Sequence, residues 1–304
     1  MYRYKAYGLR ISSEMHIPEL VERERGEADV WIRLGNIDEP SSLQKGQQST
    51  TVRTPSGYIC YISNVGGVQV KEGDTVIACP LEGAKEKGFR FLVSGIALGL
   101  LLHQRGFVTL HASAVAHRGR GIGFIGQKGM GKSTTAAAFH AQNYAVVTDD
   151  LLALDTAEGQ VVGRPGFPHL KLFPEAIRGS LQTEPSQAPK IDKEGTKRSY
   201  DATTAFAEEA CPLECVYVLD YGKQDTSARL PAAQPLSGRE ACMALIRNSF
   251  VPRLLPEEAV SEQYFRRCAA VAQSVRVCRL YREKSLAALP ELVDCVEQER
   301  LAGT

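Results

Sequence analysis

Nine consecutive residues carry the most specific chemical signal in the chain: Gly126, Gln127, Lys128, Gly129, Met130, Gly131, Lys132, Ser133 and Thr134. They satisfy G-x-x-x-x-G-K-[ST] at every fixed position, a match that chance supplies in a chain of this length about once in a hundred. Glycines let successive backbone N–H groups turn toward phosphate oxygens. A helix starting at the end of the loop aims its positive N-terminus at the same anion. In this pattern Lys132 reaches the β- and γ-phosphates, and the Ser133 hydroxyl ligates Mg²⁺. The apolar Gly123–Ile125 before the loop and the Ala-rich Lys132–Ala141 after it predict a strand–loop–helix unit. The expected ligand is a nucleoside triphosphate with Mg²⁺. The pattern does not identify the base.

Two adjacent carboxylates, Asp149 and Asp150, follow the apolar run Ala145–Thr148. At a strand end they can divide two jobs. One holds Mg²⁺, and the other accepts a proton from an attacking hydroxyl. Alternation along a strand points the two side chains in opposite directions, so one of them faces the γ-phosphate squarely. Which one is left open. His111 lies in Phe107–Ala116, which reads as a single strand. It is either a hydrogen-bonded core histidine or, if that strand neighbours the phosphate-loop strand, a partner that tunes Asp150. Arg164, Lys171, Lys197 and Arg198 are either ordinary surface cations or cations for triphosphate oxygens or a peptide carboxylate. His16, His103, His117, His140 and His169 show no chemical spacing.

These residues need a scaffold, and the composition bounds it. The chain has 304 residues, of which 43% are hydrophobic and 23% charged, enough for a substantial buried core. With 36 Lys+Arg against 35 Asp+Glu the net charge is +1, so bulk charge draws it to neither nucleic acid nor acidic lipid. The longest apolar stretch, Phe91–Leu102, is shorter than the roughly 20 residues of a spanning helix. The opening MYRYKAYGLR has no apolar signal region, so a cytoplasmic location is expected. The eight cysteines form no CxxC pair and read as reduced core thiols. Cys211 and Cys215 lack the second pair a zinc site needs.

The first 85 residues form a β-rich lobe, with strands at Ala28–Leu34, Tyr58–Ser63, Val68–Lys71 and Thr75–Cys79 and an exposed connection over Ser41–Thr54. Residues 86–304 alternate helices and strands around the glycine loop, the pattern of an α/β nucleotide-binding core. Helices are expected at Phe89–Gln104, Ser237–Arg247, Glu257–Gln273 and Leu286–Glu299. Strands are expected at Glu214–Asp220 and Val275–Tyr281, and a hairpin at Leu151–Leu154 with Val161–Val162. The Pro-rich, charged Thr183–Ser199 reads as a mobile loop.

The segments LHASAVA, GFIGQKGMGKSTTAAAF and YAVVTDD together resemble the HPr kinase/phosphorylase family of bacterial serine kinases over Phe107–Asp150. The resemblance implies an α/β P-loop kinase core of HPr-kinase type, ATP on the loop, and an Asp of the pair acting as base toward a serine, with His111 beside it. The chain departs from the family at Thr134, where Glu is usual, and lacks a recognisable stretch for contacting HPr. It is more similar to the shorter HPr-kinase-like proteins that phosphorylate lasso precursor peptides. That likeness rests on YKAYGLRISSEMHIPEL, RPGFPHLKLFPEA, Lys197-Arg198 and VRVCRLYREKSLAALPELVD. It implies ATP-dependent phosphorylation of a serine at the C-terminus of a precursor peptide, with Lys197 and Arg198 at the nucleotide.

Three functions compete: a peptide or protein serine kinase, a small-molecule kinase, and a nonenzymatic nucleotide switch. Small-molecule kinases usually begin with the phosphate loop, whereas here a lobe precedes it. N-K-x-D and LSGGQ signatures are absent, and the Asp pair exceeds what binding alone requires. The sequence therefore favours the first, with Asp150, Asp149, His111 and Lys132 as catalytic candidates and Ser133 and Asp149 as Mg²⁺ ligands. A homo-oligomer is left open.

Overall fold

Short runs of Val, Ile, Tyr and Thr, cut by Gly and Asn, favour pleated strands joined by tight turns. In the computed structural model, which describes the chain apart from residues 24–25, 41–46, 158, 192–195, 222–229, 256–260 and 303–304, they form one sheet. Its strands are β1 (Tyr2–Ala6), β2 (Leu9–Ser13), β3 (Val21–Glu22), β4 (Val30–Leu34), β5 (Ser49–Thr54), β6 (Gly57–Ile62), β7 (Gly66–Lys71) and β8 (Thr75–Pro80). The order is β3-β1-β2-β4-β8-β7-β6-β5, antiparallel except for the β2–β4 and β4–β8 pairs. The exposed connection expected over Ser41–Thr54 is corrected here. Residues 41–46 lie outside the described residues, but Ser49–Thr54 is a strand, its β-branched Thr50, Thr51 and Val52 facing Tyr61, Cys60 and Ile59 of β6.

The helix after β8 runs from Glu86 to Gln104, with a wider π-type turn at Leu92–Ala97. It buries Leu92, Val93, Leu98, Leu100 and Leu101, packs on β7, and ends before Gly106. A Cβ at Gly99 would collide with the Phe250 ring, so the returning segment fits only against a glycine. The Tyr264 hydroxyl lies 2.8 Å from Ser249 Oγ and 3.2 Å from Thr109 O. The chain accordingly divides into two compact units. The first is Met1–Thr109 with Ser249–Tyr264, and the second is Leu110–Asn248 with Phe265–Thr304. The first unit thus runs past residue 85, because its apolar helix packs on β7 and the returning segment packs on that helix.

The chain passes from the first unit to the second in β9 (Val108–Leu110) and continues with β10 (Ala112–His117), β11 (Arg120–Ile125), β12 (Ala145–Thr148), β13 (Leu152–Asp155) and β14 (Val162–Arg164). Then follow β15 (His169–Leu172), β16 (Arg198–Asp201), β17 (Cys211–Tyr221), β18 (Ala232–Pro235) and β19 (Arg276–Arg282). The long β17 is the hub. It runs parallel to β11 on one side and to β19 on the other, and its Cys211–Pro212 end pairs with β14. The β10 strand lies between β11 and β12, antiparallel to both, while β15 and β16 make a separate two-stranded ribbon. The single strand expected over Phe107–Ala116 breaks at His111, whose N–H is drawn off to the Asn248 carbonyl at 2.8 Å.

The core of the second unit gathers on one face of this sheet: Val115, Ile122, Phe124, Phe139, Tyr217 and Leu280 cluster with Leu292 and Val296 of the C-terminal helix (Leu289–Ala302). The helix Gly238–Arg247 opens with a reciprocal Ser237–Glu240 capping box. The helix expected over Glu257–Gln273 spans Glu262–Ser274, its expected first turn lying outside the described residues. All eight cysteines are free thiols, six of them buried. No described helix is long and apolar enough to cross a membrane.

Candidate active site

The sequence around the glycine loop dictates an abrupt reversal. The buried β11 ends at Ile125, and the next helix starts at Lys132. Gly126 and Gly131 take φ of 149° and 81°, values that a side chain disfavours. The N–H of Gly126 donates to Asn248 Oδ1 at 3.0 Å, and the Asn248 side-chain amide donates to Ala244 O at 2.8 Å, which fixes the loop's first turn to the end of a helix. Gln127, Lys128 and Gly129 are exposed, Met130, Gly131, Ser133 and Thr134 half-buried, and Lys132 buried. The Lys132 ammonium donates to the carbonyls of Gly126 at 2.9 Å and Gln127 at 3.3 Å, folded onto its own loop.

β12 delivers the carboxylates. Because β10 is the common neighbour of β11 and β12, the Asp pair and the loop share one end of the sheet. Asp149 is 2% exposed. Its Oδ1 accepts from Ser113 Oγ at 2.6 Å, its Oδ2 from the Lys171 N–H at 2.8 Å, and it also shares a hydrogen bond with Ser133. Burial and the adjacent Asp150 charge push its carboxyl above the ordinary range, against the pull of those donors. Asp150 sits at φ 69°, a left-handed conformation uncommon for a residue with a side chain. Its Oδ2 lies 2.6 Å from the Lys171 ammonium. Burial opposes the Asp150 charge, but Lys171, His111 and Lys197 outweigh it and hold the carboxyl below its ordinary range.

His111 reaches the pair through the backbone. Its Nδ1 is 3.0 Å from Asp150 O. A carbonyl only accepts, so Nδ1 carries the hydrogen and Nε2 is left to face elsewhere. The other sequence candidates separate. Lys197 lies 5.1 Å from the centroid of the half-exposed Phe173 ring and acts on Asp150. Arg198 begins β16 and donates to Ala188 O at 2.9 Å, so its guanidinium is engaged in holding the ribbon. Arg164 pairs with Asp155 at 2.7 Å. Of the mobile loop expected over Thr183–Ser199, residues 192–195 lie outside the described residues, while Pro185–Gln187 form a short turn and Arg198–Ser199 open β16.

Sequence reasoning missed Ser113, Asn248 and Arg282. Ser113 sits two residues after His111, and strand alternation signals that both face one side. No local pattern marks Asn248 or Arg282, which arrive from 122 and 147 residues beyond their partners Gly126 in the loop and Thr135 in the helix after it. Tyr221 also joins the loop, its hydroxyl donating to Gly129 O at 3.1 Å. Among the described residues no group of three His, Cys, Asp or Glu side chains assembles. A cation held by Asp149 and Ser133 would therefore complete its shell with substrate oxygens and water, as Mg²⁺ commonly does.

No protein-family model and no curated protein sequence matches the chain. Among solved structures it is similar to the Hpr(Ser) kinase/phosphatase from Coxiella burnetii, at 14% identity and a TM-score of 0.36, over 64% of this chain and 97% of that one.

Proposed function

We propose that the protein is an ATP-dependent kinase that phosphorylates a serine hydroxyl, at the C-terminus of a ribosomally made precursor peptide of the lasso type. The observation that carries the reading is the split of the Asp pair beside the glycine loop. Asp149 is buried and hydrogen-bonded to Ser133, whereas Asp150, at a positive φ, lies under the charges of Lys171, His111 and Lys197. The choice of a peptide serine comes from the sequence resemblance.

In this reading the loop Gly126–Thr134 takes the triphosphate, and Lys132 exchanges the carbonyls of Gly126 and Gln127 for phosphate oxygens. Ser133 and Asp149 would hold Mg²⁺, which when bound offsets charge on the β- and γ-phosphates. Ser113 and the Lys171 N–H keep Asp149 aimed at Ser133. Asp150 accepts the proton of the acceptor hydroxyl as its oxygen attacks the γ-phosphorus and the bond to the β-phosphate oxygen breaks. Lys171 and Lys197 offset charge around the transferring group. Arg198, bonded to Ala188 O, supports the ribbon that carries Lys197. Positioning and electrostatics supply the rate, since the transfer asks little covalent work of the protein.

The test is mass spectrometry after incubation with Mg·ATP and, separately, short peptides ending in serine, the same peptides with Ser→Ala, HPr, and free serine. A phosphate-sized gain on the serine-ending peptides alone is expected. Efficient labelling of HPr would indicate an HPr-type kinase, and labelling of free serine without peptide would indicate a small-molecule kinase. Either result would displace the peptide reading.

A further inference from the structure

Arg282 ends β19, opposite Tyr221 of β17, and is 6% exposed. Its Nη1 donates to Thr135 Oγ1 at 2.9 Å. Its Nη2 stands 3.0 Å from the point a Cβ on Gly131 would occupy, so the guanidinium lies flat against the loop where the helix begins. Its Nε is buried without a hydrogen-bond partner. No Asp or Glu among the described residues forms an ion pair with it. It also shares a side-chain hydrogen bond with Tyr221, whose ring centroid lies 5.5 Å from the guanidinium carbon and over which Lys284 also sits at 5.9 Å.

That placement opposes two rules at once. A buried charge without a counter-ion is costly. A cation beside a helix N-terminus meets the positive end of the helix dipole and is repelled. Among the described residues no carboxylate pairs with Arg282, and the glycine loop is where an anion would be held. We infer that Arg282 is the buried counter-charge of a di- or triphosphate on the loop Gly126–Thr134. It acts from behind Gly131 and Thr135, through a low-dielectric layer, and is therefore a positioning residue. This rests on the loop being a nucleotide site. It also assigns Tyr221 a part, since its hydroxyl holds Gly129 while its ring holds Arg282.

The full chain is compared with Arg282→Met, which keeps bulk, and Arg282→Lys, which keeps charge. Dissociation constants for Mg·ADP and Mg·ATP are measured by calorimetry, and melting temperatures with and without nucleotide. The expected result is that R282M melts at or above wild type without nucleotide yet binds roughly tenfold more weakly or worse. Its nucleotide-induced rise in melting temperature shrinks accordingly. R282K stays within about threefold of wild type in affinity, the charge being kept and only the planar fork lost. If R282M does not fold, Arg282→Gln, with a donor for Thr135 and no charge, replaces it in the same comparison. Wild-type affinity in the uncharged variant would overturn the inference. So would equal weakening in R282K and the uncharged variant with both destabilised, since that is the behaviour of a structural brace. Absence of nucleotide binding in wild type would instead overturn the reading of the loop, and this inference with it.

Discussion

The ammonium of Lys171 lies 2.6 Å from Oδ2 of Asp150, while the backbone N–H of the same lysine donates to Oδ2 of Asp149 at 2.8 Å. One residue of β15 thus grips both carboxylates with chemically different atoms. Mutation can separate them, because the backbone bond survives any ordinary substitution. Lys171→Met should leave Asp149 seated and free Asp150 from its partner. We expect kcat to fall by on the order of tenfold to a hundredfold, the cost of a misplaced catalytic group, with KM for ATP little changed. Steady-state kinetics beside a thermal melt checks this, and a rise in KM alone would place Lys171 at the nucleotide.

Lys132 is buried and spends its donors on Gly126 O and Gln127 O. Lys132→Ala should lower phosphoryl transfer by about a hundredfold or more, the scale of losing one preorganised charge at a developing oxyanion. The melting temperature should change far less. Turnover near wild type would remove the loop from the chemistry.

Asp149→Asn and Asp150→Asn should both be slow for different reasons. Asp149 faces Ser133, so its variant should recover part of its rate at high Mg²⁺. Asp150 faces the cations, so its variant should not respond. A Mg²⁺ titration of each distinguishes them, and rescue of Asp150→Asn alone would reverse the assignment.

Lys197 and Arg198 are neighbours in sequence with divergent surroundings. Arg198→Ala removes the bond to Ala188 O and should cost stability, about 2 kcal/mol for one hydrogen bond from a charged donor. Lys197→Ala should lower the transfer rate with little loss of stability. Chemical denaturation and kinetics on the two single variants check the split.

Away from the site, Tyr144 gives a pH prediction. Burial, then its hydrogen bond to Glu297 at 2.9 Å, push its hydroxyl up to about 12, although Arg300 opposes the rise. The unfolded chain releases this proton near the ordinary value, about 10, so between those pH values the folded state binds more protons. The contribution is complete below the unfolded value and is lost as pH rises through the folded one, about 2 kcal/mol in all. Melts from pH 8 to 12 should show wild type losing stability faster than Tyr144→Phe. Parallel curves would refute this.

What the sequence determined on its own were the patterns written in contiguous residues. The loop Gly126–Thr134 and the pair Asp149–Asp150 are local patterns, because cradling a phosphate needs backbone turns and hydroxyls at fixed chain spacing. The capping box at Ser237 and the hairpin of β13 with β14 are equally local, set by one side chain on a nearby N–H or by alternation across one turn. What only the tertiary structure decided is what each charge faces. Neither the positive φ of Asp150 nor the return of Ser249–Tyr264 to the first unit has a signature in chain spacing. The same holds for Lys171 at both aspartates, Asn248 under Gly126 and Arg282 behind Gly131. Those contacts exist because β17 sets β11 and β19 parallel on either side of it, which carries Arg282 to the end of the sheet where the loop begins. Electrostatics depends on distance through space and on exclusion of water, and neither is a function of distance along the chain.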